Sequence, residues 1–196
     1  MKLWVISDLH LERRLEWQPT RPEVFDVLVV AGDVDDDLAR AIECVALIAD
    51  GKPAVYVAGN HEVTQAANDP VLASAAGVIA EEYGVSWLEC TAAEIGGMRF
   101  AGATLWEPGD PRHAPSVAAL AAAKADVIVS HFPPVPSFAF RVLPFGGLWI
   151  HGHHHGHADV TAGGRRFVRN ALGYPDEPVA RPAIPDLVIE LCARKM

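Results

Sequence analysis

The chain runs to 196 residues, 51% hydrophobic and 21% charged, with a formal net charge of −9 when histidine is counted neutral. That composition excludes a disordered chain, and no apolar run reaches the about 20 residues that a membrane-spanning helix needs. The negative balance disfavours nucleic acid as a partner, because a polyphosphate backbone is repelled unless positive charge is concentrated locally.

Residues 2–7 read as a short buried strand rich in Trp, Val and Ile, and no apolar leader precedes it, so the expected location is the cytoplasm. Residues 26–31 form a second apolar run that ends at Gly32-Asp33. Over residues 36–49, Leu38, Ala41, Ile42, Val45 and Ile48 recur at helical spacing. Gly51-Lys52-Pro53 stops that helix, and residues 54–58 make a third strand running into Gly59-Asn60-His61. Residues 69–83 are helical again, with Pro70 near the start and Gly84 after the end. Three short runs follow at 85–88, 92–95 and 98–101, and Gly96-Gly97 signals a hairpin. Residues 114–124 are Ala-rich and helical, and residues 126–130 are a strand ending at His131. A loop rich in Pro and Phe occupies 132–147, then a brief strand at 148–150 delivers a run of histidines. Residues 157–162 and 165–169, joined at Gly163-Gly164, suggest a second hairpin; 175–185 is a surface crossing and 186–191 a last strand. Strand-helix alternation followed by hairpins predicts one α/β domain over 1–196, a sheet core covered by helices with antiparallel additions.

Five of these strands share one layout: an apolar run followed at once by residues of metal-binding type. They deliver Asp8-Leu9-His10, Gly32-Asp33, Gly59-Asn60-His61, His131 and Gly152-His153-His154-His155. In an open α/β sheet ligands bind beyond the carboxyl ends of the strands, so Asp8, His10, Asp33, Asn60, His131, His153 and His155 are expected along one rim. Imidazole and carboxylate without thiolate suit Zn, Mn or Fe. Seven donors exceed what one tetrahedral ion takes and suit two ions sharing a bridge. Asp8 and His10 lie two residues apart, as do His153 and His155, so an extended chain would turn each pair to one side. Gly32, Gly59 and Gly152 are expected to permit tight turns at the strand ends.

Asp8-x-His10, Gly32-Asp33, Gly59-Asn60-His61-Glu62, His131 and Gly152-His153-His154-His155 resemble, in order, the five blocks of the calcineurin-like metallophosphoesterases. The resemblance covers residues 8–155. It implies a two-sheet β-sandwich flanked by helices, the αββα four-layer fold, with a dinuclear site on its rim. It assigns Asp8, His10 and His155 to one metal, Asn60, His131 and His153 to the other, and Asp33, together with a hydroxide, to the bridge. His61 becomes the proton donor to the leaving group, and Asn60 and His61 face the substrate. The implied cofactors are two divalent transition-metal ions, manganese first, with Fe, Zn or Ni as alternatives. The implied activity is hydrolysis of a small phosphate ester, monoester or diester. A catalytically silent scaffold of the same fold and a nuclease are the competing readings; the intact site residues oppose the first, and the acidic balance opposes the second. One departure concerns the protein-phosphatase branch, which carries an Arg soon after Gly-Asp where this chain has Asp35-Asp36-Asp37.

Other residues carry plainer expectations. Asp35-Asp36-Asp37 reads as a charge cluster at a helix N-terminus rather than as extra ligands, and Glu62 either orients His61, the favoured reading, or faces water. His113 and His157 read as structural, His154 as outward-facing or supporting a ligand, and His151 as either core packing or support of a ligand. Phe138, Phe140 and Phe145 either line a substrate pocket or pack their loop down. Arg141, in the same loop, is either a phosphate clamp or a solvated arginine. The tract Asn170-Ala171-Leu172-Gly173-Tyr174-Pro175 resembles one found after the Gly-His block in small bacterial members and is expected to close one side of the site. Cys44, Cys90 and Cys192, with no C-x-x-C spacing, read as small buried hydrophobes.

Overall fold

The computed structural model describes residues 1–14, 16–66, 70–144 and 146–191. Four apolar strands, β1 (Lys2–Ile6), β2 (Val27–Ala31), β3 (Ala54–Val57) and β4 (Val85–Trp87), lie parallel in that order. Helix α1 (Leu38–Ala49) follows β2, and α2 (Asn60–Ala66) and α3 (Pro70–Glu82) lie between β3 and β4. A second sheet begins with the hairpin β5 (Thr91–Ile95) and β6 (Met98–Ala103). Helix α4 (His113–Ala123) then leads to β7 (Val127–Ser130), and α5 (Pro136–Val142) leads to β8 (Leu148–His151). The hairpin β9 (Gly156–Ala162) and β10 (Arg165–Ala171) completes that sheet in the order β5-β6-β7-β8-β10-β9. Finally β11 (Val188–Glu190) returns to pair antiparallel with β1.

Strands β1, β2, β3, β7 and β8 read as continuous apolar runs because both of their faces are buried. On β1, Leu3 and Val5 point between the sheets, whereas Trp4 and Ile6 pack with Ile42 and Val45 of α1. On β8, Leu148 and Ile150 face inward, and Trp149 meets Phe138 of α5 and Leu120 of α4 on the outer face. Three apolar layers alternate with two sheets and two helix layers, which is the αββα sandwich expected from the sequence. Among the described residues no helix is long and apolar enough to cross a membrane.

The elements depart from the expected ones in a few places. Helices α2 and α5 have no counterpart in the sequence reading. At seven residues each they are too short to display a 3.6-residue period. In α5, Pro136 opens the helix, because its missing N–H is one that the first turn leaves unpaired. Phe138 therefore packs inward on Trp149, while Phe140 is exposed beside Phe167; Phe145 lies outside the described residues. Asp37 caps α1 by accepting from the Arg40 N–H at 3.0 Å, in keeping with a charge cluster at a helix start. Cys90 is exposed rather than buried, held at a positive φ of 56° beside Ser116, and Cys192 lies outside the described residues.

Candidate metal centre

Parallel strands end on the same side, so the exits of β1, β2 and β3 lie next to one another, facing those of β7 and β8 in the other sheet. Backbone bonds lock these exits together. The Asp8 N–H donates to the Gly32 carbonyl at 2.9 Å, and the His10 N–H to the Asp33 carbonyl at 3.1 Å. Within the second sheet the Gly152 N–H donates to the His131 carbonyl at 3.0 Å, and across the sandwich the His153 N–H reaches both Asp8 oxygens at 3.0 and 3.2 Å.

The backbone does not run extended here, as the two-residue spacings suggest it should. Asp8, His10, Asp33 and His153 take positive φ of 54°, 47°, 52° and 67°. For residues with a Cβ this costs roughly 1 kcal/mol or more each, and such strain gathers where function holds it. Turning the chain at each of these residues, rather than extending it, is what aims the side chains inward. Only Gly32, at φ 88°, supplies the expected tight turn. Gly59 and Gly152 are needed for room instead: a Cβ on Gly59 would meet the Asp33 nitrogen at 2.6 Å, and one on Gly152 the Ala31 carbonyl at 2.6 Å.

Six of the seven expected donors converge. Nε2 of His155 lies 3.3 Å from Nε2 of His10 and 3.5 Å from Asp8 Oδ1. His131 Nε2 is 3.0 Å from Asn60 Oδ1 and 3.3 Å from Asp33 Oδ2, and the same Asp33 oxygen is 4.0 Å from His10 Nε2. Asp8, His10 and His155 place ligand atoms within 4.8 Å of one another, and so do Asp8, Asp33 and His131. His153 lies at the edge: its ring centroid is 5.2 Å from that of His131 and 4.2 Å from that of Phe132, and it joins none of the tight groups. Arg141 is not brought in. It sits exposed on the last turn of α5, and among the described residues it has no hydrogen bond or ion pair with the cluster.

The imidazoles are held from behind. Nδ1 of His10 meets Glu12 at 3.2 Å, Nδ1 of His131 the Ala31 carbonyl at 2.9 Å, Nδ1 of His61 meets Asp36 at 2.7 Å, and Nδ1 of His155 meets Glu177. An acceptor on Nδ1 fixes the ring and leaves Nε2 to face the centre. Burial, against the pull of Asp33 and Asp8, brings the His10 pKa down to about 4, so its ring is neutral at pH 7 and offers a lone pair. Burial would raise the Asp33 carboxyl, but the charge and hydrogen bond of His131 outweigh it and hold Asp33 well below the usual carboxylate range. The Nε2 atoms of His10 and His155 thus face each other at 3.3 Å, beside the buried carboxylates of Asp8 and Asp33. A divalent transition-metal cation fits that donor set.

His61 follows Asn60 at the start of α2, and its backbone N–H donates to Asp33 Oδ1 at 3.0 Å. Its Nε2 lies 3.2 Å from the Tyr174 hydroxyl, and its ring stands edge-on to His10 at 4.7 Å. Glu62 does not orient it. The fully buried Glu62 carboxylate instead accepts from the backbone N–H groups of Asp33 at 3.1 Å, Val34 at 2.6 Å, Asp35 at 3.4 Å and Gly59 at 2.8 Å. Burial and the Asp33 charge push the Glu62 carboxyl up, and the Val34 N–H opposes that shift. Glu62→Ala would leave four buried donors unpaired, so it is expected to cost roughly 3 kcal/mol or more of stability in denaturant unfolding. A loss below about 1 kcal/mol would contradict this role.

Three residues of the site are given no part in it by their sequence context. Asp36 is hidden in an acidic run, Glu12 sits in an unremarkable turn, and Glu177 carries no local signal at all. Tyr174 lies in the tract expected to close one side, and it does so, its ring 4.2 Å from that of His10 and 5.0 Å from that of His155. His154 is exposed, as expected; His151 ends β8 with its pKa brought down to about 4 by burial.

The calcineurin-like phosphoesterase family model matches residues 1–157. Among solved structures, phosphopantetheinyl hydrolase from Mycobacterium tuberculosis is 20% identical with a TM-score of 0.59, covering 94% of this chain and 96% of that one. GAP50, described as the anchor in the inner membrane complex of Plasmodium, is 13% identical with a TM-score of 0.53, over 95% of this chain and 75% of that one. At these identities the likeness is one of fold. No curated protein sequence matches the chain significantly.

Proposed function

The chain belongs to the calcineurin-like phosphoesterase family, and from that premise we propose that it hydrolyses a small phosphate ester, monoester or diester, at a pair of divalent metal ions. Asp8, His10 and His155 would hold one ion, Asn60, His131 and His153 the other, with Asp33 shared. The observation that carries this reading is the single Asp33 oxygen lying 3.3 Å from His131 and 4.0 Å from His10, a carboxylate between two histidine groups. When bound, such ions polarise the phosphoryl group and supply a nucleophile at neutral pH.

The chain's own side chains do the rest. The Asn60 amide and the His61 ring face the substrate. His61 would give the departing alkoxide a proton from Nε2 as the doubly protonated ring, whose Nδ1–H is held by the Asp36 carboxylate at 2.7 Å. Imidazole and carboxylate donors suit manganese, with Fe, Zn and Ni as alternatives. A cytoplasmic location belongs to the same proposal; the free thiols of Cys44 and Cys90 suit a reducing compartment.

The test is turnover of p-nitrophenyl phosphate and bis-p-nitrophenyl phosphate. Hydrolysis of at least one is expected with Mn²⁺, to vanish after chelation and to return when Mn²⁺ is restored. Metal-loaded protein that cleaves neither, nor any other phosphate ester, would favour a silent scaffold.

A further inference from the structure

The family match stops at residue 157, yet the chain beyond it returns to the centre. The Ala171 backbone bridges Ser7, the Leu172 N–H donates to the Ser7 carbonyl at 2.9 Å, and the Gly173 N–H to the Asp8 carbonyl at 3.0 Å. Arg14 then donates to the Gly173 carbonyl at 2.7 Å. This lays residues 171–173 along the exit of β1, directly over His155. A Cβ on Gly173 would meet His155 Cγ at 2.9 Å and Nδ1 at 3.0 Å, and its φ of 78° also favours glycine. The chain next turns on itself, the Glu177 N–H donating to the Tyr174 carbonyl at 3.2 Å. That turn delivers the Glu177 carboxylate onto Nδ1 of His155.

The other acceptors behind the centre come from within the matched residues: Glu12 for His10, the Ala31 carbonyl for His131, Asp36 for His61. Of these four histidines, His155 alone takes its acceptor from outside them. It stands four residues after β8 ends, so its ring depends on a separate segment for support.

We propose that Glu177 is a positioning residue for the metal centre, fixing the His155 imidazole so that Nε2 faces Asp8 and His10, and that the C-terminal segment thereby sets how tightly this ion is held. The inference rests on the metal-binding reading given above. An oxygen acceptor on Nδ1 selects the tautomer that leaves Nε2 with its lone pair, holds the ring plane, and makes the ligand more basic; losing such a contact typically weakens metal affinity about 10- to 100-fold. The Glu177 side chain is 37% exposed on a surface turn, and its removal takes away only its contacts with Nδ1 of His155 and the Tyr174 N–H, not any packing of the apolar core.

The full chain, stripped of metal, would be titrated with Mn²⁺ and with Zn²⁺ by calorimetry, alongside Glu177→Leu and Glu177→Gln. Glu177→Leu is expected to weaken one of two binding events about 10- to 100-fold and to spare the other. Glu177→Gln keeps an oxygen acceptor and is expected to recover most of that loss. Thermal unfolding of the metal-free variants is expected to match the unsubstituted chain. The proposal is overturned if the Leu variant binds as the unsubstituted chain does. It is also overturned if both variants lose affinity equally along with thermal stability, since that reports collapse of the turn rather than loss of the acceptor. An unsubstituted chain that binds no ion overturns the metal-binding reading itself, a result distinct from either.

Discussion

Asp33→Asn is expected to bring phosphoester turnover close to background and to lower metal content, while leaving the fold intact. The substitution keeps size and shape but removes the charge that two histidine groups share. Asp33 Oδ2 lies 3.3 Å from His131 Nε2 and 4.0 Å from His10 Nε2, and Oδ1 accepts the His61 N–H at 3.0 Å. Whichever way an amide is placed, one of these positions receives an NH₂ group. Either the nitrogen faces the histidines, where it repels a cation, or it faces the His61 N–H, donor against donor. The loss is expected to exceed the about 100-fold typical of removing a supporting contact to a ligand. Kinetics with p-nitrophenyl esters and metal analysis of the same sample check this together. An Asp33→Asn variant that keeps its metal and its turnover would remove Asp33 from the shared position.

His61→Ala is expected to separate metal binding from proton donation. The His61 contact with Asp33 is made by the backbone N–H, so alanine preserves it and metal content is expected to persist. What disappears is the imidazole between Asp36 on Nδ1 and Tyr174 on Nε2. General acid catalysis contributes about 10²- to 10⁴-fold where the leaving group needs a proton. Alkyl and phenyl esters are therefore expected to slow by about 10²-fold or more, and p-nitrophenyl esters, whose leaving group departs as a stable anion, by much less. Equal slowing across leaving groups would contradict the proton-donor role.

The ends of strands are the most legible part of this protein. Val5-Ile6-Ser7 before Asp8, or Val127-Ile128-Val129-Ser130 before His131, announces both a doubly buried strand and the chemistry placed at its exit. Hairpins at Gly96-Gly97 and Gly163-Gly164 are equally plain, because glycine supplies the positive φ those turns need. What sequence does not carry is long-range pairing. Nothing near Glu177 marks it as the partner of His155, and nothing near Asp36 distinguishes it from Asp35 and Asp37, since one turn of helix start decides which of three aspartates meets His61. Glu62 shows the same limit from the other side. Adjacency to His61 suggests a side-chain pairing, whereas the helical turn sends its carboxylate back to the backbone of Asp33, Val34 and Gly59. Grouping His153 with His155 on one side assumes an extended chain, and the positive φ of His153 breaks that geometry.

Membership of the family fixes the scaffold; whether this chain works as an enzyme turns on the cations. The most direct measurement is elemental analysis of the purified, unsubstituted chain after loading with Mn²⁺ and removal of excess ion. The account predicts two ions per chain. A chain that retains none, or takes up a single ion that Asp33→Asn does not disturb, would contradict it.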